Sequence, residues 1–298
     1  MEVDFVKISP TQNMTVLVTS AVERQLHAEV AAKLMAYNNV YAEQVGFVEK
    51  PGNPRATARL QMAGGEFCGN ASVALGAYLV WSGKVACNGS CVIPIEVSGA
   101  ADLLQCEIRQ KDGAFSGTIS MPLPRSIETF AAVIAGKRYT LPVVHLPGIS
   151  HIIVDIEELK GSKGEPKSSA DFSVFAHALS QNPDDFTMQD AFGIMFYDKA
   201  ASSITPFVCV KTSGTNVWER GCGSGSAAVG AYLAHTAGES VNLALVQPGG
   251  VIGVRSCMQD GALASLSIEG RVEIAAWGKA LLHIATPPLI FPASPFPA

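Results

Sequence analysis

The chain has 298 residues, of which 48% are hydrophobic and 16% charged, so it can bury a large core and is not disordered. Its net charge of −5 and its 21 Lys and Arg residues, which form no basic run, argue against a nucleic-acid-binding surface. The sequence shows no signal-peptide pattern and no apolar run of about 18 residues. We therefore expect a cytoplasmic protein without a membrane segment.

In chain order, the periodicity predicts short strands with a few helices among them. Strands are predicted over residues 14–18, 56–62, 91–97, 206–210, 253–256 and 264–268. Amphipathic helices are predicted over 24–36 and 171–179, an exposed loop over 161–169 and a Pro-rich tail over 287–298. This pattern predicts an α+β fold.

An internal repeat stands out. The segment from Cys68 to Leu79 recurs 154 positions later, from Cys222 to Leu233, with eight of twelve positions identical. The chain is therefore predicted to consist of two halves built on one plan, with the two Cys-Gly turns facing each other across a cleft.

Each copy of the repeat resembles the start of a helix. Glycine permits a turn, Asn70 or Ser224 is a suitable cap, and a run of small residues follows that can pack deeply. Cys68 and Cys222 would then lie where unpaired N–H groups and the helix dipole favour a thiolate or an anionic ligand. We expect these thiols to have lowered pKa values.

Two facing thiols suit inversion at a carbon acid: one removes the α-proton of an amino acid and the other reprotonates the opposite face. Backbone N–H groups of the helix starts would stabilise the developing charge, so neither a metal nor an organic cofactor is needed. Inert packing, a redox disulfide and a relic of duplication are the alternatives for Cys68 and Cys222. The other five cysteines are predicted to be structural, and Cys87 and Cys91 lack the second pair of ligands that a zinc site needs.

At these motifs the sequence resembles the diaminopimelate-epimerase-fold superfamily of cofactor-independent amino-acid racemases and epimerases, over nearly the whole chain. The matching segments are Thr11-Gln12-Asn13-Met14-Thr15, Glu43-Gln44-Val45-Gly46-Phe47, Phe67-Cys68-Gly69-Asn70-Ala71, Trp218-Glu219-Arg220-Gly221-Cys222-Gly223-Ser224-Gly225 and Gln247-Pro248-Gly249-Gly250.

The departures from this superfamily's patterns narrow the choice of substrate. Diaminopimelate epimerases carry an insertion before the second cysteine, whereas Gly221 is followed directly by Cys222, and Ile149 replaces the Asn of their Gly-Asn-Pro-His motif. The set of motifs is more similar to the histidine racemases that supply D-histidine for staphylopine-type metallophores. A diaminopimelate epimerase with a shortened loop and a catalytically silent amino-acid-binding protein or redox protein of this fold are the alternatives.

The resemblance implies a fold of two pseudo-symmetric domains, each a strand-rich sheet or barrel around a central helix, with the active site in the cleft between them. The implied division is 1–125 plus 276–298 for one domain and 126–275 for the other. Family members are often dimers, so a homodimer is implied, with a small amino acid as the substrate.

The resemblance also assigns site residues. Cys68 and Cys222 would be the acid/base pair. His151 is interpreted as a satisfied core residue, and Arg220 as a structural ion-pair partner. The substrate-binding residues would be Asn13, Gln44, Gly69, Asn70, Glu219, Gly223 and Ser224.

Overall fold

The computed structural model describes residues 1–159, 169–180, 191–210 and 215–284. Its strands are β1 (Glu2–Pro10), β2 (Thr15–Val18), β3 (Gln44–Glu49), β4 (Ala58–Met62), β5 (Ser90–Val97), β6 (Leu104–Lys111), β7 (Ala114–Ser120), β8 (Ser126–Ile134), β9 (Lys137–Leu146), β10 (Ile149–Asp155), β11 (Ala191–Asp198), β12 (Ser203–Val210), β13 (Thr215–Trp218), β14 (Val241–Gln247), β15 (Gly250–Gln259) and β16 (Ala262–Leu281). The helices are α1 (His27–Met35), α2 (Gly69–Trp81), α3 (Ile156–Leu159), α4 (Ser169–Ser180) and α5 (Gly223–Ala237), with a 3₁₀ turn over Arg24–Leu26.

Within these ranges all sixteen strands join one sheet, and its first part closes into a ring. Strands β1 to β7 are neighbours in sequence order, β16 follows β7, and β1 pairs with β16. The remaining strands continue from the other side of β16 in the order β15, β14, β12, β11, β10, β9 and β8, with β13 beside β12. The fold is therefore α+β and rich in strands, as predicted.

The strand β16 connects the ring to the rest of the sheet. Its first half pairs with β15, its middle with β7 and its last part, from Val272 to Leu281, with β1. Serving three neighbours requires its length of 20 residues, whereas the sequence predicted a strand only over 264–268. Because β16 runs through both parts, the division into two domains stays a prediction.

The helix α2 packs inside the ring and contacts each of its eight strands. It is buried from Gly69 to Val80, since strands surround it, which explains its uniformly apolar sequence. Close packing needs small residues: a Cβ at Gly76 would lie 2.6 Å from Sγ of Cys106. The repeat-related Gly230 plays the same part in α5, where a Cβ would lie 2.4 Å from Val254.

Each predicted strand and helix is present, but β15 and β16 extend well beyond the predicted ranges 253–256 and 264–268. The helix predicted over 24–36 is the 3₁₀ turn followed by α1, and the one over 171–179 is α4. The predicted loop over 161–169 lies outside the described residues except for Ser169, which begins α4, and the predicted tail over 287–298 lies wholly outside them. In the part of the chain that the structure describes, no helix is long and apolar enough to cross a membrane.

Candidate active site

The two repeated cysteines begin the two buried helices. Cys68 and Cys222 have extended backbones and are the N-caps of α2 and α5, which confirms their predicted place at helix starts. The sulfur itself is the cap: it accepts the N–H of Ala71 at 3.4 Å in one copy and that of Gly225 at 3.3 Å in the other. The prediction that Asn70 or Ser224 caps the helix is therefore wrong.

The two helix starts converge on β16. A Cβ at Gly69 would lie 3.0 Å from Cδ1 of Ile268, and a Cβ at Gly223 would lie 2.8 Å from the same atom. The carboxamide of Asn70 bridges the two motifs, since its Nδ2 donates to the carbonyl oxygen of Gly221 at 3.1 Å. Both glycines are thus needed for the helix starts to approach so closely.

A network of amides surrounds Cys68. The thiol donates to Oε1 of Gln44 at 2.9 Å, and Nε2 of Gln44 donates to Oδ1 of Asn13 at 2.5 Å and to Oγ1 of Thr15 at 2.7 Å. Nδ2 of Asn13 in turn donates to Oε2 of Glu43 at 2.7 Å. The structure therefore brings the predicted residues Asn13 and Gln44 to this thiol.

A different set of groups surrounds Cys222. The buried amide of Gln247 accepts the N–H of Cys222 at 2.7 Å and donates to Oγ of Ser226 at 2.8 Å. Oγ of Ser224 lies 3.7 Å from the sulfur, and the carboxyl of Glu219 shares a hydrogen bond with the thiol. The predicted residues Glu219 and Ser224 thus lie at the second cysteine.

Burial decides the electrostatics of this site. Loss of hydration raises the pKa of Cys68 to about 12, and the nearby carboxylates of Glu66 and Glu219 add to the shift. The pKa of Cys222 is also raised well above its ordinary value, first by burial and then by the charge of Glu219. The expectation of lowered thiol pKa values is therefore wrong, because desolvation outweighs the N–H groups of the helix start.

The acidic groups are shifted by the same cause. Burial raises the pKa of Glu219 to about 7, and the charge of Glu43 adds to the rise, while the hydrogen bond with Cys222 opposes it. Glu219 thus changes protonation state near neutral pH. Its charge raises the pKa of both thiols; it is the foremost charge acting on Cys222, whereas at Cys68 the charge of Glu66 comes before it.

Two hydrogen-bonded side chains of this network that carry a carboxyl or amide group, Glu43 and Gln247, were not predicted as site residues. Both stand in the motifs that carried the family resemblance, next to Gln44 and Pro248 respectively, which is the signal that could have found them. Within the described ranges, no three His, Cys, Asp or Glu side chains form a cluster able to hold a metal ion.

His151 and Arg220 differ from the roles predicted for them. His151 is fully buried, as predicted, but among the described residues neither ring nitrogen has a hydrogen-bond partner. Burial lowers its pKa to about 3, so the ring is neutral. Arg220 donates to the neutral oxygens of Gln12 at 2.6 Å and Pro248 at 3.0 Å. The seven cysteines are all free thiols, and only Cys257 is exposed.

The fold is shared with solved racemases and epimerases. A probable proline racemase from Agrobacterium radiobacter K84, with bound carbonate, aligns with a TM-score of 0.67 at 16% identity, over 97% of this chain and 94% of that one. A hydroxyproline epimerase from Agrobacterium vitis aligns with a TM-score of 0.67 at 15% identity, over 94% of this chain and 93% of that one. At such low identities the likeness shows that this chain has the fold of these racemases and epimerases, and no more.

The sequence comparisons narrow the class to one family. The family model for the histidine racemase CntK N-terminal domain matches residues 2–281. A histidine racemase from Fusobacterium nucleatum is 34% identical over 281 residues, which cover 93% of this chain and 95% of the relative. One from Staphylococcus aureus is 27% identical over 285 residues, 94% of this chain and 98% of the relative. The chain belongs to the histidine racemase family, and it is an isomerase, an amino-acid racemase.

Proposed function

We propose that this racemase interconverts L- and D-histidine, with Cys68 and Cys222 as the acid/base pair and with neither a metal nor an organic cofactor. The observation that carries the proposal is the convergence of two thiol-capped helix starts on Ile268, bridged by Asn70. The relatives that match this chain along nearly its whole length are named histidine racemases, which supports histidine as the substrate.

In this proposal the α-carbon of the substrate lies between the two sulfurs. One sulfur, as thiolate, takes the α-proton, and the electron pair of the broken bond stays on the α-carbon and its carboxylate. The other thiol gives its proton to the opposite face, so the configuration inverts. Because each thiol has a raised pKa, its thiolate is a strong base once formed, which suits a weakly acidic α-proton.

The substrate carboxylate would bind where the helix starts offer backbone N–H groups, at Gly69, Asn70, Gly223 and Ser224. Helix N-termini favour anions, and the charge on the carboxylate grows as the α-proton leaves. Glu219 would accept a hydrogen bond from the α-amino group or from an imidazole N–H, while Asn13 and Gln44 line the same pocket. The enzyme would supply D-histidine for the synthesis of an opine-type metallophore, because its motif set resembles the racemases of that route.

The test is proton NMR of the purified, reduced protein with L-histidine in D₂O, with EDTA and without added cofactor. We expect the α-proton signal to disappear and D-histidine to accumulate. Exchange with LL-diaminopimelate but not with histidine would place the protein in the epimerase branch and overturn the proposed substrate.

Serine variants test the acid/base pair. Cys68→Ser and Cys222→Ser should each abolish racemisation, because a hydroxyl is far less acidic than a thiol and cannot supply the base. Cys257→Ser, at an exposed cysteine, is the matched control and should retain full activity. Activity retained in either active-site variant contradicts the assignment.

A further inference from the structure

The two repeat-related thiols are hydrogen-bonded in chemically different ways. Cys68 donates to the amide oxygen of Gln44, whereas Cys222 shares its hydrogen bond with the carboxyl of Glu219. An amide oxygen accepts a hydrogen bond but does not take up the proton at neutral pH, while a carboxylate can do both. The two thiols are therefore not equivalent, although the sequence repeat makes them look so.

The hydrogen bonds behind Cys68 run in one direction. An ionised carboxylate only accepts, so Glu43 draws the Nδ2 group of Asn13 toward itself and leaves the Oδ1 atom to face Gln44. Gln44 must then use its Nε2 group on that side and also on Thr15, which leaves only its oxygen for Cys68. A thiolate at Cys68 would face this oxygen and lose the bond.

Several charged groups act on this series of hydrogen bonds. Burial raises the pKa of Glu43, and the positive charge of Arg220 opposes this rise. The N–H of Met14 also donates to Oε1 of Glu43, at 3.5 Å. Glu66 and Glu219 both oppose a negative charge at Cys68. The surroundings of Cys68 thus favour its protonated form from two sides.

We propose that Glu43 is a positioning residue, which holds Cys68 in its thiol form through this directed chain of hydrogen bonds. In the same proposal, Cys222 is the thiol that transfers its proton to Glu219. The inference rests on the proposed function, in which both thiols act on the substrate, and it assigns them different roles at the start of the reaction.

The proton balance of one inversion involves three groups: Glu219, Cys222 and Cys68. Of these, only Glu219 is negatively charged in the free site, and the proton of Cys222 moves to it. The Cys222 thiolate then forms an S–H bond to the α-proton as the Cα–H bond breaks. Cys68 gives its proton to the opposite face, which forms the new Cα–H bond and leaves a thiolate there. Proton exchange with solvent restores the starting form.

Site-resolved alkylation of the full chain tests the assignment without substrate. The protein is treated briefly with iodoacetamide between about pH 5 and 9, and the modified peptides are quantified by mass spectrometry. Because only thiolates react, the rate at a thiol whose pKa lies above this range rises about tenfold per pH unit, and we expect this behaviour of Cys68 throughout. At Cys222 the rise should level off above about pH 7, where Glu219 is ionised and able to accept its proton, since the population of the thiolate beside a protonated Glu219 then no longer depends on pH.

Two substitutions at position 43 separate positioning from structure. In Glu43→Gln the new amide can donate, so the direction of the hydrogen bonds can reverse. Nε2 of Gln44 can then donate to the sulfur of Cys68. A donor stabilises the thiolate, so alkylation of Cys68 at about pH 8 should become about tenfold faster. Glu43→Asp keeps the carboxylate and should leave the rate near that of the native protein. The exposed Cys257 is the internal reference.

The complementary variant is Glu219→Gln, which should remove the levelling-off above about pH 7 at Cys222, so that its rate rises steadily like that of Cys68. The inference is overturned if Glu43→Gln leaves the rate at Cys68 unchanged, if it accelerates both active-site cysteines equally, or if the levelling-off at Cys222 survives in Glu219→Gln.

Folding and substrate are controlled separately. If Glu43→Gln fails to fold by circular dichroism, the contrast between the two cysteines in the native protein still decides the assignment, because equal pH profiles overturn it. The alkylation experiment uses no amino acid, so a failure to racemise histidine with unequal profiles overturns the proposed substrate alone. Racemisation of histidine with equal profiles overturns only the asymmetry.

Discussion

The glycine after each of the two repeated cysteines sets how closely the two helix starts approach, and Gly223→Ala tests this. A Cβ at this position would lie 2.8 Å from Cδ1 of Ile268 and 2.9 Å from Oδ1 of Asn70, both well inside normal contact. Because Asn70 is tied to Gly221 and Ile268 lies in a central strand, neither can move freely. We expect a loss of about 1–3 kcal/mol in the free energy of unfolding, typical of overpacking.

The effect on activity should be larger than the effect on stability. A displacement of α5 by a few tenths of an ångström moves Cys222 relative to Cys68, and misplacement of catalytic groups by about 1 Å costs about a hundredfold in rate. We therefore expect α-proton exchange to fall by roughly 10- to 100-fold, measured by proton NMR beside urea unfolding curves.

Two further variants make the reasoning refutable. Ile268→Val removes Cδ1. The double variant Gly223→Ala/Ile268→Val should therefore recover part of the lost stability and part of the lost exchange rate, which is a non-additive result. Gly253→Ala is the matched control on β15, because its Cβ would meet Cβ of Glu269 at an ordinary 3.6 Å. If Gly223→Ala exchanges at the native rate, or if Ile268→Val gives no recovery, the helix starts are not held together as argued.

Racemisation should fall as the pH drops through about 7, because the raised pKa of Glu219 leaves its carboxyl protonated below that pH; a pH profile of exchange, flattened in Glu219→Gln, checks this. The native protein should lose stability as the pH falls from about 6.5, because below that pH the His151 ring takes up a proton in the unfolded chain but not in the folded one, where its pKa is lowered to about 3. Urea unfolding of His151→Leu should therefore lose less stability between about pH 7 and 4, by up to about 3 kcal/mol. Asn70→Ala should cost about 1–3 kcal/mol of unfolding free energy, because it leaves the buried carbonyl of Gly221 without its donor, and unchanged unfolding would contradict that role.

Much of the site was predictable because its signals are local. The repeated Cys-Gly turns and the small residues after them determine where α2 and α5 begin, through backbone conformation over a few positions, although the sequence indicated Asn70 or Ser224 rather than the cysteines as the caps. The motifs around Asn13, Gln44 and Glu219 placed these residues at the site. Periodicity predicted β2, β4, β5, β12, β15 and β16 but none of the other described strands. It also missed the length of β16, because pairing with three neighbours leaves no local mark.

Tertiary structure alone decided the chemical state of the site. The directed series of hydrogen bonds from Cys68 to Glu43 joins residues 24 or more positions apart, and its direction depends on which groups meet in space. The sequence correctly places each cysteine at a helix start, where the dipole lowers a thiol pKa, but burial within the sheet raises it instead. A pKa is the balance of local dipoles against the hydration lost to everything packed around the group, and only the folded chain contains the second part of that balance.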